Sequence, residues 1–161
     1  MITEENGQQK KKILKAEKII RKPVKSIAVK GTKVISSKGT GHFSWPSTGG
    51  YVSSKLGYRW GSMHKGIDIA RPSNRKITAA DNGVIISDGW DGGYGNKIVI
   101  DHKNGFKTVY AHLQSINVSA GQVVPKGASI GVMGATGDAT GVHLHFEVYK
   151  NGSLQNLLNY F

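Results

Sequence analysis

Short runs of β-branched and aromatic residues alternate with turns along most of the chain. Residues 77–80 and 83–87 form two such runs, and residues 97–101 and 106–110 form two more, joined through Asn104-Gly105. An Asn-Gly pair between two runs of this kind is a strong signal for a tight β-hairpin. The pattern therefore predicts neighbouring antiparallel strands in the middle of the sequence.

The C-terminal third continues the β pattern. A further strand is predicted over residues 142–149, and only residues 113–118 are predicted as a short helix or turn. Glycine is abundant, at 22 residues, and proline is scarce, at 4, which favours tight turns over a helix bundle. The predicted fold class is mostly β, with a compact antiparallel sheet and long glycine-rich loops.

The first 33 residues differ from the rest of the chain. They hold ten of the 22 Lys and Arg residues, and they contain no His and no aromatic residue. An N-terminal β-hairpin is predicted here, with its turn at Asn6-Gly7. Residues 34–42 are predicted to be a linker. The division is therefore an N-terminal fragment over 1–33 and a main domain over 43–161.

Composition excludes several classes of protein. The chain has no cysteine, so a disulfide scaffold, a thiolate zinc site and a Cys nucleophile are all excluded. No apolar run approaches the length of a membrane span. The formal charge of +12 favours a polyanionic partner, such as nucleic acid, an anionic lipid surface or a bacterial cell wall. Nucleic acid is disfavoured because no aromatic residue accompanies the N-terminal lysines.

The N-terminus has no secretory signal, which leaves a cytoplasmic protein or a piece of a longer exported chain.

The spacing of the histidines indicates a candidate metal site. His64 and Asp68 are four residues apart, and His143 and His145 occur at a spacing of two within a predicted strand, which places both on one face. His112, at the end of another strand, could reach the same site. Two imidazoles and one carboxylate satisfy the ligand count of a catalytic zinc site. Surface histidines occur freely, however, so the residues alone leave a purely structural interpretation open.

The two remaining histidines are given no role. His42 lies close to the end of the predicted linker, and His102 lies in the turn that contains Asn104-Gly105. Both are predicted to be solvated.

A series of stretches resembles the lysostaphin-like (LytM-type) zinc metallopeptidases. The stretches follow the order of that family and span about residues 43–161. They are residues 58–60, 63–70, 77–85, 92–96, 109–113, 121–127, 130–131, 136–137 and 143–147.

The resemblance implies a site and a reaction. By position, the zinc ligands would be His64, Asp68 and His145, and proton transfer would fall to His112 and His143. The family cuts peptide bonds in bacterial peptidoglycan in a narrow groove between loops. The implied function is a zinc-dependent peptidoglycan endopeptidase, and the alternative is a non-catalytic wall-binding or interaction module that keeps the metal site.

Two further residues are predicted at the groove. Tyr94 is expected to line it, and Asn74 begins a charged stretch, Asn74-Arg75-Lys76, where many members of the family carry Gly and Thr. Both are candidate substrate contacts, and the added charge leaves the choice of substrate open.

Residues 1–33 resemble the closing part of a G-five cell-wall module. The resemblance rests on residues 2–7, Pro23-Val24 and residues 29–33. It implies a fragment of a longer exported protein that is extracellular or associated with the cell wall. The expected partners are peptidoglycan peptides and the anionic wall, and the chain is expected to be a monomer.

Overall fold

The computed structural model describes residues 27–30 and 33–161. The hairpin predicted around Asn6-Gly7 and most of the stretch that resembles a G-five module lie outside the described residues. The strands, in chain order, are β1 (Ile27–Lys30), β2 (Lys33–Ser36), β3 (Ser47–Thr48), β4 (Tyr51–Ser54), β5 (Gly57–Arg59), β6 (Ser62–His64), β7 (Ile67–Ala70), β8 (Asn74–Thr78), β9 (Gly83–Trp90), β10 (Asn96–Asp101), β11 (Phe106–Ile116), β12 (Val123–Val124), β13 (Ser129–Met133), β14 (Leu144–Lys150) and β15 (Ser153–Gln155).

The predicted fold class is confirmed. One antiparallel sheet joins most of the strands, in the order β12-β9-β10-β11-β13-β8-β3, with a second branch that runs from β11 through β14 and β7 to β4. In the part of the chain described, helical turns are limited to two 3₁₀ segments, Gly92–Tyr94 and Leu157–Tyr160. The same residues include no helix long and apolar enough to cross a bilayer.

Strand β11 is the point at which the sheet divides. Its first half pairs with β14, from Phe106↔Lys150 to Ala111↔His145. Its second half pairs with β13, beginning at Leu113↔Met133. His112 lies between these two halves with φ +64°, a left-handed conformation that non-glycine residues seldom adopt. The two branches therefore separate at His112.

The prediction of a short helix or turn over residues 113–118 is wrong. Residues 113–116 continue strand β11, because their backbone pairs with β13 at Leu113, Ser115 and Ile116. Leu113 is fully buried in the core, so packing across the sheet outweighs the local turn signal.

The core is formed by buried side chains from both branches of the sheet. Its largest fully buried side chains include Tyr110 of β11 and Phe146 of β14, whose ring centroids are 5.1 Å apart. Phe146 lies next to His145 in the chain. The core therefore fixes the strand that carries His145, and His143 immediately precedes that strand.

Residues just before the main domain are attached to it. The carboxylate of buried Asp81 accepts hydrogen bonds from the backbone N–H groups of Thr40, at 2.8 Å, and Gly41, at 3.0 Å. A Cβ at Gly39 would lie 2.8 Å from the Asp81 carboxylate, so a larger residue here would have to displace that carboxylate. This part of the predicted linker is held to the sheet by hydrogen bonds.

The prediction that His102 is solvated is wrong. Its side chain is fully buried, Nδ1 donates to the carbonyl of Asn82 at 2.7 Å, and Nε2 lies 2.8 Å from the hydroxyl of Thr108. The Thr108 hydroxyl is in turn 2.8 Å from that of Tyr110, which accepts a hydrogen bond from the backbone N–H of Ala80. Burial of the His102 ring disfavours its charged form, so the imidazole is held neutral at neutral pH.

Acid is expected to destabilise the fold through His102. Burial lowers the pKa of His102 below the usual 6.5, although the Asn82 carbonyl partly opposes this effect. The unfolded chain therefore binds the proton at a higher pH than the folded chain. The contribution of His102 to the free energy of unfolding rises with pH between the lowered pKa and 6.5, by at most about 1.4 kcal/mol per pH unit, and is complete above 6.5.

Urea denaturation of the wild type and of His102→Gln across this pH range measures the difference. The variant is expected to be less stable at neutral pH and to lose part of the acid dependence. His42→Gln is the matched control, because His42 is exposed. An acid dependence in His102→Gln equal to that of the wild type would contradict the assignment.

Candidate metal centre

Three short strands bring the metal-ligand candidates together. His64 is the last residue of β6, Asp68 lies in β7 and His145 lies in β14. Strands β7 and β14 are antiparallel neighbours, and Asp68 and His145 form a direct cross-strand pair. Gly66, between His64 and Asp68, lies so close to β14 that a Cβ would be 2.2 Å from the carbonyl oxygen of Phe146. Only glycine allows this approach.

The ligand atoms converge on one point. Asp68 Oδ1 lies 3.1 Å from His64 Nε2 and 3.1 Å from His145 Nδ1. One ligand atom from each of the three residues lies within 4.8 Å of the others. Two imidazole nitrogens and a carboxylate oxygen are a donor set that suits Zn²⁺. The cluster is therefore compatible with a metal site of the predicted composition.

The second nitrogen of each ligand histidine is held by an oxygen acceptor. His64 Nδ1 donates to the carbonyl of Lys55 at 2.8 Å. His145 Nε2 donates to Glu147 Oε2, also at 2.8 Å. Each ring therefore turns its other nitrogen towards Asp68, as a ligand histidine with an outer hydrogen-bond partner does in metal sites.

His112 and His143 face the same cluster. Their ring centroids are 4.8 Å apart, and His143 Nε2 lies 3.6 Å from Asp68 Oδ1. Nδ1 of His112 donates to the carbonyl of Thr136, and Nδ1 of His143 donates to that of Gly141, both at 2.8 Å. In both rings Nε2 is therefore the nitrogen available for chemistry. All five polar residues predicted for the reaction lie in one place.

The charges around the cluster favour a cation. Burial would lower the pKa of His145, but its hydrogen bonds to Asp68 and Glu147 raise it to about 9. Burial would raise the pKa of Asp68, but the hydrogen bond with His145 and the neighbouring imidazoles lower it. A positive charge is thus stabilised between two carboxylates, whether it is a proton on His145 or a metal ion.

At His112, in contrast to His145, the effect of burial is not outweighed by hydrogen bonds. Burial lowers the pKa of that imidazole, against a smaller raising effect of the Thr136 carbonyl. His112 is therefore held in the neutral form at neutral pH, with Nε2 able to accept a proton.

The cluster lies in an open cavity of about 810 Å³. Tyr94 lines this cavity, as predicted, and its hydroxyl donates to Glu147 Oε2 at 2.9 Å. Asn74 does not line the cavity. It begins β8, where it pairs with Thr48, and its side-chain oxygen accepts a hydrogen bond from the backbone N–H of Lys76. The structure does not bring Asn74 to the site.

Two residues at the site were not assigned a role from the sequence. Glu147 is 1% exposed, and its carboxylate accepts hydrogen bonds from His145, Tyr94 and Tyr149. Its spacing of two from His145 on the same strand was a usable signal, because alternate residues share a face. Arg59 places Nη2 3.6 Å from Asp68 Oδ2, the carboxylate oxygen that the histidines leave free. No short-range spacing points to that contact.

Comparison with known proteins agrees with the fold and the site. Residues 62–157 match peptidase family M23. The chain is 41% identical over 131 residues to the DD-carboxypeptidase/endopeptidase Mpg of Neisseria meningitidis. This match covers 77% of the chain and 30% of Mpg. It is 40% identical over 93 residues to the peptidoglycan DD-endopeptidase ShyC of Vibrio cholerae. This match covers 58% of the chain and 22% of ShyC. The chain thus spans a third or less of the length of either relative.

Solved structures show the same architecture. A zinc-containing peptidase from Vibrio cholerae superposes with a TM-score of 0.66 at 32% identity, over 71% of this chain and 39% of the other. The catalytic domain of lysostaphin from Staphylococcus simulans superposes with a TM-score of 0.57 at 32% identity, over 70% of this chain and 88% of the other.

The antiparallel sheet and the His-Asp-His cluster define a β protein of the lysostaphin-like metallopeptidase class. The match over residues 62–157 then makes the assignment specific: the chain belongs to peptidase family M23. The resemblance noted from the sequence over residues 43–161 is confirmed for that part of the chain. No comparison shows a G-five module before it.

Proposed function

We propose that the chain is a zinc-dependent endopeptidase that hydrolyses peptide bonds in bacterial peptidoglycan. The observation that carries this proposal is the convergence of His64, Asp68 and His145 on the wall of an open cavity that His112 and His143 also line. The names of the M23 relatives, a DD-carboxypeptidase/endopeptidase and a peptidoglycan DD-endopeptidase, support the choice of substrate.

His64, Asp68 and His145 would hold the zinc ion. When bound, zinc supplies Lewis-acid polarisation of the scissile carbonyl and lowers the pKa of water. The cross-strand pairing of Asp68 with His145 fixes two of these ligands next to each other on the sheet.

His112 and His143 would move the protons. One accepts a proton from the attacking water, and the other donates to the leaving amine or the developing oxyanion. Because Nδ1 of each ring is occupied by a backbone carbonyl, Nε2 is the proton-transfer atom in both. Tyr94 keeps its phenol neutral, since burial and the neighbouring Glu147 raise its pKa, and it would form part of the substrate-facing wall.

Replacement of Glu147 by glutamine is expected to weaken zinc binding by about 10- to 100-fold, since outer partners of a ligand histidine contribute to affinity on that scale. The amide keeps the size of the side chain but removes the negative charge that holds His145. Competition with a chromogenic chelator measures the dissociation constant. Tyr149→Phe is the matched control: it removes one hydrogen bond to Glu147 and keeps the carboxylate, and it is expected to change affinity far less. Equal affinity in Glu147→Gln and the wild type would remove Glu147 from the metal site.

The main domain over residues 43–161 would act at the cell wall, as part of a protein that is exported. The formal charge of +12 would hold the chain on an anionic wall, and high salt would weaken that attachment. The chain would work as a monomer.

The rival function is a wall-binding or interaction module that retains the metal site without catalysis. The presence of both His112 and His143 beside the ligands argues against it, since binding alone has no use for them. Clearing of a suspension of purified peptidoglycan distinguishes the two. The zinc-loaded chain is expected to clear the suspension, and a chelator or Asp68→Ala is expected to stop it. Tight adsorption to the wall with no clearing would favour the rival.

A further inference from the structure

The hairpin formed by β5 and β6 carries an unusual turn at the mouth of the cavity. Arg59 pairs with Ser62, so Trp60 and Gly61 are the two central residues of the turn. Their φ angles are +48° and +79°. Two central residues with positive φ define the hairpin turn that normally takes Asn-Gly or Asp-Gly. Gly61 fits this turn, whereas a bulky aromatic residue at position 60 is sterically disfavoured.

The side chain of Trp60 gains little from the fold to offset that strain. It is 91% exposed, and it lines the rim of the cavity. A large apolar side chain held in a strained conformation with almost no burial indicates a constraint from function rather than from folding.

One side of the Trp60 ring is positioned by Arg59. The Arg59 guanidinium carbon lies 5.1 Å from the centroid of the ring, and the same guanidinium contacts Asp68 and the hydroxyl of Ser54. A cation held over one face orients the ring and leaves the other face free. The ring is thereby linked to the metal cluster through a single side chain.

The residues around the free face of the Trp60 ring indicate the kind of ligand that this face would bind. Exposed Met63 also lines the cavity on this hairpin, where it pairs with Tyr58, but the other neighbours of Trp60 at the rim are polar: Arg59, Ser62 and Lys65. An apolar protein surface or a lipid chain would require a contiguous apolar patch, which these residues interrupt. A pyranose ring has the complementary form, with one small apolar face of C–H groups and hydroxyl groups around its edge.

We propose that Trp60 is a stacking platform for a sugar ring of the glycan strand, so that the hairpin holds the polysaccharide while the cavity holds the attached peptide. This proposal rests on the proposed function for the identity of the sugar, which would be a hexosamine of peptidoglycan. Trp60 is a binding residue and takes no part in bond cleavage.

Binding to soluble glycan strands from which all peptides have been removed tests the proposal. Such strands contain no bond for a peptidase, so the outcome does not depend on catalysis. Trp60→Asn is the informative variant, because asparagine suits the turn and should leave the thermal midpoint unchanged or raised. Isothermal titration calorimetry is expected to show about a tenfold rise in the dissociation constant for Trp60→Asn, and partial recovery for Trp60→Phe, which restores an aromatic face.

Trp90→Asn is the matched control. Trp90 is also exposed, at 65%, but it does not line the cavity. The control is expected to bind glycan strands as the wild type does. Equal binding by Trp60→Asn and the wild type would overturn the proposal, and so would an equal loss in both variants.

Hydrolysis assays separate this proposal from the proposed function. On intact peptidoglycan, Trp60→Asn is expected to raise KM with little change in kcat, and on a cross-linked peptide without sugars it is expected to match the wild type. If the variant is impaired equally on the sugar-free peptide, the platform binds peptide and the proposal is wrong. If the wild type cleaves neither substrate, the proposed function fails, and the calorimetry still decides on sugar binding.

Discussion

Replacing Asp68 with alanine is expected to lower zinc affinity by more than about 100-fold, beyond the effect of losing an outer partner. Asp68 Oδ1 is the atom on which the ligand nitrogens of His64 and His145 converge, each at 3.1 Å. Without Asp68, the Glu147 carboxylate remains on the outer nitrogen of His145, but no carboxylate lies between the two ligand nitrogens, so a divalent cation there is compensated less well. Zinc content per chain after dialysis, measured by atomic emission, gives the result.

Two comparisons make this prediction specific. Asp68→Asn keeps the size and one oxygen, so it separates the loss of charge from a cavity in the packing. Asp138→Ala is the matched control, because Asp138 lines the same cavity but is not one of the three clustered ligands. Stoichiometric zinc in folded Asp68→Ala would contradict the ligand assignment.

Replacing His143 with alanine is expected to preserve zinc binding and to lower kcat by about 10²- to 10⁴-fold, the usual contribution of a general acid or base. His143 Nε2 lies 3.6 Å from Asp68 Oδ1, near the ligands, but His143 is not one of the three residues that converge. His112→Ala is expected to behave in the same way, because its ring lies 4.8 Å from that of His143. Steady-state kinetics on a cross-linked peptide, with zinc content measured in parallel, separates binding from turnover.

His42→Ala is the control for these substitutions, since His42 is exposed and its backbone, not its ring, makes the recorded hydrogen bonds. It is expected to keep full activity. Wild-type kcat in His143→Ala would remove that residue from the reaction, and loss of zinc in His143→Ala would place it among the ligands.

The sequence predicts the strands well where the signal is local. The hairpin through Asn104-Gly105 joins β10 to β11, because the turn residues and the β-branched runs lie next to each other in the chain. The prediction fails over residues 113–118, where the partner strand β13 begins at Ser129, 13 residues after Ile116 and 16 after Leu113. Pairing with a strand so distant in the sequence produces no recognisable residue pattern within residues 113–118.

The site also combines features that local sequence predicts with features that depend on distant strands. Spacing brings His64 to Asp68 and His143 to His145, and the family resemblance joins the two pairs. The contact of Arg59 with Asp68 and the left-handed backbone at His112 arise only when separate strands meet. His102 is buried where Asn82, Thr108 and the ring of Phe43 lie against it, and a turn sequence on its own does not predict these contacts.

Zinc-dependent hydrolysis is tested by a mass spectrum of a defined cross-linked peptidoglycan fragment after incubation with the zinc-loaded chain in ¹⁸O-labelled water. We expect the fragment to split at a peptide bond, with one new amine end, one new carboxyl end that carries ¹⁸O, and no cleavage when a chelator is present. An intact fragment in the presence of one zinc ion per chain would contradict this expectation, and so would cleavage that a chelator does not stop.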